Sequence, residues 1–358
     1  MGRRVVVKVG SNVLTLPDGM LDVTQISSLV DQIASLRKKG IEVILISSGA
    51  VASGRSVMSD LSEKLDSVSS RQLFSAVGQV RLMSRYMDLF GEHGIVCGQV
   101  LTTKESLSTR RQYLNQRNCV LTMLQAGVLP ILNENDSISV TELMFTDNDE
   151  LSGLVASMMD ADTLVILSNV DGIYDGDPLA SSSSVIREIH HGEDVSGCIS
   201  SSKSSCGRGG MSSKYRISSK AAGEGIEVVI ANGRTPQVLE RVLSGDASLN
   251  CTRFLSSDHV LSGVKKWVAN SEGFAKGALY LNDGACEALR SGKASSILPV
   301  GVTRVEGEFE KEDIVGVFDS HGRKLGVGRI DVDSERARQV LGHKREKALV
   351  HYDYLFLD

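Results

Sequence analysis

Six short apolar runs recur through the first two-thirds of this 358-residue chain, and most are separated by longer stretches of helical period. The runs are RRVVVKV (3–9), EVILI (42–46), GIVCGQVL (94–101), GVLPIL (127–132), TLVIL (163–167) and EVVIA (227–231). They are apolar almost throughout rather than at alternate positions, which fits strands buried on both faces. Between the first two, Val23, Ile26, Leu29, Val30, Ile33 and Leu36 fall at three- and four-residue steps and make one apolar helix face. Asp22 followed by Gln25 predicts a capping-box start, and Lys38, Lys39 and Gly40 predict the stop. RQLFSAVGQVRLMSRYMDLF and RQYLNQRNCVLTMLQAG read as two more helices. Continuous strands alternating with amphipathic helices predict an α/β fold, an open and mainly parallel sheet sandwiched by helices. In such sheets ligands gather at the carboxyl ends of the strands.

Near 255–265 the texture changes. GALYLN, SSILPVGVTRVEG, DIVGVFDSHGRKLGVGRI and KALVHYDYLFL are short strand-like pieces punctuated by glycine, which predicts a small β-rich domain. The expected division is a first domain at 1–255, a linker at 256–262 and a second domain at 263–358. Fifteen basic and fifteen acidic side chains balance within 262–358, and the whole chain carries a net charge of -5. That balance argues against generic nucleic-acid binding, which relies on excess positive charge. No apolar run approaches the length of about eighteen residues that a membrane span requires. The opening MGRRVVVKVGSNVL runs straight into a strand without a signal-peptide core, which predicts a mature cytoplasmic chain. The six cysteines are scattered without a C-x-x-C pair and are expected as free thiols, and no Cys–His spacing predicts a metal site.

The turn after each strand is therefore the place to look for chemistry. After the first, Lys8 precedes Gly10, Ser11 and Asn12. It is either a lysine reaching phosphate oxygens beside a glycine turn, or one that snorkels to solvent. After the second, Ser47, Ser48, Gly49 and Ala50 form a small-residue strand-to-helix junction whose amides suit an anion, although tight packing alone would explain it equally. Walker spacing is absent. After the fourth come NENDSIS, holding Asp136, and then TDNDELSG, holding Asn148 and Asp149. Asp and Asn side chains suit an ammonium group, and an aspartate between two lysines can hold both in place. After the fifth, LSNVDGIYDGDP begins with Ser168 and Asn169 and is rich in turn residues. It reads as a nucleotide loop or a calcium loop, though EF-hand spacing is missing. GRGGMSSK, Gly207 to Lys214, precedes a helix-like segment.

In this order, VVVKVGSNVLT, ILISSGAVASG, FSAVGQVRL, LPILNENDSIS, TDNDELSGLVA, VILSNVDGIYDGDP and GRGGMSSK resemble the amino-acid kinase superfamily, and within it the glutamate 5-kinases, over residues 3 to about 250. The segment from KKWVA through DGACEAL, SSILPVGV and GVGRI resembles a PUA domain. The resemblance implies ATP-dependent phosphorylation of the L-glutamate side-chain carboxylate with Mg²⁺, the first step of proline biosynthesis. It implies that Lys8 and Lys214 hold the transferring phosphoryl group and that Asp149 organises them. Gly10 and Gly49 would supply backbone donors, and Ser48, Gly49, Asp136 and Asn148 would bind glutamate. Lys8, Gly10, Ser168, Asn169, Arg208, Gly209, Gly210, Met211, Ser212, Ser213 and Lys214 would bind ATP. It further implies feedback inhibition by proline and a homo-oligomer, a tetramer or dimer. The chain departs from the pattern on the nucleotide side, with Ser168-Asn169 in place of Thr-Asp and Arg208 in place of Thr. Two other readings stand beside this one. One is a different carboxylate kinase of the same fold; the other is an RNA-binding regulatory protein using the PUA domain, against which the balanced charge counts.

Overall fold

The computed structural model describes residues 2–58, 65–139, 147–178, 180, 182–199, 210–257, 262–291 and 296–357. The chain separates into two compact units, Met1–Ser106 with Leu114–Val260, and Leu107–Tyr113 with Leu261–Asp358.

The first unit is built on an eight-stranded sheet of β1 (Arg4–Val9), β2 (Glu42–Ser47), β3 (Cys97–Thr102), β4 (Leu129–Glu134), β5 (Thr163–Ser168), β6 (Glu188–Ile189), β7 (Glu227–Asn232) and β8 (Cys251–Phe254). All six apolar runs of the sequence are strands. The order across the sheet is β3-β4-β2-β1-β5-β7-β8-β6. The first six strands in that order run parallel, while β8 lies antiparallel to β7 and β6 pairs with β8. Every residue of β1, β4 and β5 is buried, which accounts for their unbroken apolar texture.

The helices in chain order are α1 (Ser11–Leu14), α2 (Val23–Lys38), α3 (Ala50–Arg55), α4 (Ser67–Glu92), α5 (Arg110–Gln125), α6 (Asn148–Met158), α7 (Met211–Gly223) and α8 (Val238–Ser244). The predicted face of α2 is buried at Ile26, Leu29, Val30, Ile33 and Leu36, which pack with Val5, Val7 and Val9 of β1. Asp22 caps α2 by accepting from the Gln25 amide at 3.1 Å. The expected box is only half made, because the Gln25 carboxamide donates to the Gly233 carbonyl at 2.6 Å instead of reaching back. Among the described residues no helix is long and apolar enough to cross a membrane.

In the second unit β9 (Gly277–Leu281), β10 (Val302–Gly307), β11 (Ile314–Phe318), β12 (Lys324–Ile330) and β13 (Val350–Leu357) form a separate sheet ordered β10-β9-β11-β12-β13. Helices α9 (Gly263–Ala269), α10 (Asp283–Arg290) and α11 (Ser334–Gln339) accompany it. Its own core contains Leu279, Leu281, Val315, Val317, Ile330, Val350 and Leu355.

Candidate active site

Four strands that are neighbours in the sheet, β4, β2, β1 and β5, end in the polar segments singled out in the sequence. Glycine shapes two of these ends. Gly49 lies at φ +98°, the left-handed region that favours glycine, and turns β2 into α3. Farther along, Gly54 of α3 and Gly78 of α4 press against each other's helices. A Cβ on Gly78 would lie 1.8 Å from the Ala50 carbonyl oxygen, and one on Gly54 would lie 1.9 Å from that of Phe74. The two helix backbones therefore touch, and the turn at Gly49 is fixed by α4 as well as by β2.

Lys8 sits in a fully buried strand and is only 5% exposed, so it does not snorkel to solvent. Its Nζ lies 2.6 Å from Asp149 Oδ1. Lys214, on the first turn of α7, donates to Asp149 Oδ2 at 2.8 Å. Asp149, on the first turn of α6, is 1% exposed. The close approach of α6 and α7 depends on Gly153, where a Cβ would fall 2.7 Å from Ile217 Cγ2. Burial alone would push the Asp149 carboxyl up. The two ammonium groups outweigh it and hold the carboxyl below its ordinary value. The arrangement is a carboxylate bridging two buried cations that point from different elements toward one region.

Asp147 caps α6 by accepting from the Glu150 amide at 2.9 Å and also accepts from Ser213 Oγ at 2.7 Å, tying α6 to α7 a second time. Burial, with the charge of Asp149 beside it, pushes the Asp147 carboxyl up; the Ser213 hydroxyl opposes this.

On the other side of Asp149, Asn148 donates both hydrogens of its carboxamide nitrogen, to Ser48 Oγ at 2.8 Å and to Asn133 Oδ1 at 3.0 Å. Asn133 in turn donates to Gln79 Oε1 at 2.9 Å. The Asn148 Oδ1 is buried and meets no hydrogen-bond donor among the described residues. A buried carbonyl oxygen without a donor is costly, so it is suited to an incoming N–H group. Asp136 lies on the loop after β4, with Arg71 Nε 3.6 Å from its Oδ1. Sequence reasoning placed Asn133 and Asp147 in polar clusters suited to a ligand without giving either an individual role, and it did not single out Gln79. Gln79 and Asn133 stood in the AVGQ and NEND segments, but only tertiary contact shows them in one chain of hydrogen bonds.

On the nucleotide side, Gly210 caps α7, and the amides of the first turn, Met211, Ser212 and Ser213, have no intrahelical partner, as at any helix start. Ser168 closes β5 and is buried; Asn169 beside it is exposed. Arg208 and Gly209 lie outside the described residues. Gly10 does not offer a free donor as expected, because its N–H is bonded to the Leu167 carbonyl at 3.0 Å. A Cβ at Gly10 would fall 3.2 Å from that same Leu167 carbonyl oxygen, so glycine eases the close approach of β1 to β5 at this point. Of the cysteines, Cys97, Cys119, Cys198, Cys251 and Cys286 are free thiols; Cys206 lies outside the described residues.

Known proteins carry the same organisation. The profile of the amino acid kinase family matches residues 3–232, and that of the PUA domain matches residues 277–352. A glutamate 5-kinase of Bacteroides thetaiotaomicron is 60% identical over 355 residues, covering 99% of this chain and 98% of that one. A glutamate 5-kinase of Chlorobaculum tepidum is 47% identical, covering 99% and 97%. Among solved structures, carbamate kinase from Giardia lamblia bound to AMP-PNP covers 72% of this chain and 99% of its own. Its TM-score is 0.53 at 18% identity, a likeness of fold alone. Identity of this extent, sustained across both units, means that the chain belongs to the amino acid kinase family and, within it, to the glutamate 5-kinases.

Proposed function

We propose that the protein transfers the γ-phosphoryl group of ATP to the side-chain carboxylate of L-glutamate, giving ADP and L-glutamyl 5-phosphate for proline biosynthesis. The observation that carries the reading is the buried Lys8–Asp149–Lys214 bridge, flanked on one side by the unsatisfied Asn148 carbonyl. A carboxylate oxygen forms the new bond to phosphorus, and the bond from phosphorus to the bridging oxygen of ADP breaks. The attacking carboxylate is already ionised at neutral pH, so no general base is required, and no histidine stands in the bridge. The residues have to align the two reactants and offset the charge on the phosphoryl oxygens, which is the work of preorganised cations. Lys8 and Lys214 are assigned that role, with Asp149 fixing both.

Ser48, Gly49, Asp136 and Asn148 are assigned to glutamate, the carbonyl of Asn148 and the carboxylate of Asp136 suiting its ammonium group. Lys8, Gly10, Ser168, Asn169 and the segment from Arg208 to Lys214 are assigned to ATP. Mg²⁺ fits as an ion carried by the nucleotide. Both Asp149 oxygens face lysines, and the described residues hold no cluster of three carboxylate, imidazole or thiol groups. Phosphate oxygens would hold such an ion, and bound there it would help Lys8 and Lys214 neutralise phosphate charge. The kinase domain is placed at 1–255 and the PUA domain at 263–358, joined by 256–262. A cytoplasmic location, a dimer or tetramer and feedback inhibition by proline belong to the same proposal and rest on family membership.

The test is a panel of carboxylic acids incubated with ATP and Mg²⁺, with acyl phosphate trapped as hydroxamate. Hydroxamate from L-glutamate is expected. Hydroxamate from aspartate or acetylglutamate alone points to a different carboxylate kinase, and none from any acid points to a non-enzymatic role.

A further inference from the structure

Helix α4 carries three polar side chains at a strict four-residue step, Arg71, Ser75 and Gln79. Four residues turn a helix slightly more than once, so the three form one row. Each meets the end of β4 or the segment that follows it. Gln79 Oε1 accepts from the Asn133 carboxamide at 2.9 Å. Ser75 Oγ lies 3.3 Å from Ser137 Oγ. Arg71 donates to the Ser139 carbonyl at 2.7 Å, and its Nε lies 3.6 Å from Asp136 Oδ1. From Asn133 to Ser139 the segment is thus anchored to a single helix at successive points. The same helix is locked to α3 by the backbone contact at Gly78, so one rigid element sets both the Ser48–Gly49 turn and the Asn133–Ser139 segment.

Rotation of the Asn133 carboxamide is fixed from two sides. Its nitrogen donates to Gln79, and its oxygen accepts from Asn148 and from the Glu134 amide. Without the acceptor on Gln79 the buried Asn133 nitrogen is left unpaired, and the carboxamide that receives Asn148 loses its anchor to α4. A shift of that carboxamide carries Asn148, and with it the unsatisfied Oδ1. At the far end of the row Arg71 places its charge beside Asp136, an ion pair at 3.6 Å, while its guanidinium is held by the Ser139 carbonyl.

We propose that Arg71, Ser75 and Gln79 are positioning residues for the acceptor substrate: they hold Asn148 and Asp136 where the ammonium group of glutamate is read, without touching the nucleotide. This rests on the assignment of those two residues to glutamate. Loss of the row is expected to weaken glutamate selectively. Gln79→Met keeps the volume and removes the acceptor, and Arg71→Met removes the guanidinium at a position nearer solvent, so a folding failure of the first leaves the second to decide.

Each full-length variant is measured for the KM of glutamate and of ATP, and for glutamate affinity by calorimetry. About a tenfold rise in the glutamate KM and Kd is expected, as for loss of one hydrogen bond to a buried polar partner, with the KM for ATP within about twofold. Gln79→Glu, which retains an acceptor oxygen, is expected to recover most of the loss. The proposal is overturned by unchanged glutamate affinity in both Met variants, by parallel losses for glutamate and ATP, or by a Glu variant no better than the Met variant. Calorimetry separates this from the assigned reaction. A wild-type chain that binds glutamate without phosphorylating it defeats the reaction alone; one that does not bind glutamate defeats both.

Discussion

Replacing Asp149 by asparagine removes the charge that joins the two lysines while keeping the side-chain shape. In the wild-type chain the carboxylate oxygens lie 2.6 and 2.8 Å from Lys8 and Lys214, with Asp149 1% exposed. The amide can present an oxygen to only one of them; the other ammonium then faces an N–H₂ group, donor against donor. Removing one partner of a buried ion pair costs about 3–5 kcal/mol, a large part of a typical domain's stability. Misplaced lysines are expected to cut turnover by about a hundredfold or more, as for loss of a preorganised charge contact. The pH dependence sets this residue apart. Because the folded-state carboxyl is held below its ordinary value, its contribution is fully present above the unfolded value near about 3.9 and is lost as pH falls through the lower folded one. The gap in urea midpoint between wild type and Asp149→Asn is therefore expected to be full at neutral pH and to close in acid. A variant with near-wild-type turnover and an unshifted midpoint refutes the bridging role, and so does a gap that stays constant as the pH falls below 4.

Other substitutions separate the parts of the site. Lys214→Ala is expected to lower turnover about a hundredfold in the hydroxamate assay, with the chain still folded by circular dichroism. Asn148→Ala removes the Oδ1 assigned to the glutamate ammonium group and is expected to raise the glutamate KM about tenfold while the KM for ATP changes little. Gly78→Ala places a methyl 1.8 Å from the Ala50 carbonyl oxygen, so α3 and α4 must part. A loss of about 1–3 kcal/mol is expected in urea unfolding, as for other overpacked contacts.

The architecture was legible because strand and helix periods differ and this chain keeps them apart. The run RRVVVKV is short, β-branched and apolar almost throughout, as a strand buried on both sides requires, and the face of α2 from Ile26 to Leu36 has one direction in which to pack. The lysine within that strand was ambiguous in sequence, since a side chain of its length can reach solvent or a ligand. Only the position of Asp149, 141 residues away in sequence, resolves it. Local capping was less legible. Asp22 and Gln25 have the spacing of a reciprocal pair, yet Gln25 is taken by Gly233, a residue brought near by β7. Gly10 resembled a phosphate-loop donor, but its amide belongs to the Leu167 carbonyl of the adjacent strand. The row of Arg71, Ser75 and Gln79 lay in plain view at four-residue spacing; what hid it was that its partners lie at the end of β4 and in the irregular segment after it, more than fifty residues away in sequence.

In the proposed reaction a glutamate carboxylate oxygen, aligned beside Lys8 and Lys214, attacks the γ-phosphorus of ATP directly. L-Glutamate labelled with heavy oxygen in its side-chain carboxylate tests this in one measurement. Hydroxylamine attacks the acyl carbon of the product and releases the phosphate together with the oxygen that attacked phosphorus, so phosphorus NMR of that phosphate reports where the bond formed. Direct attack predicts phosphate carrying one heavy oxygen atom in proportion to the labelling of the carboxylate. Hydroxamate accompanied by unlabelled phosphate would contradict it.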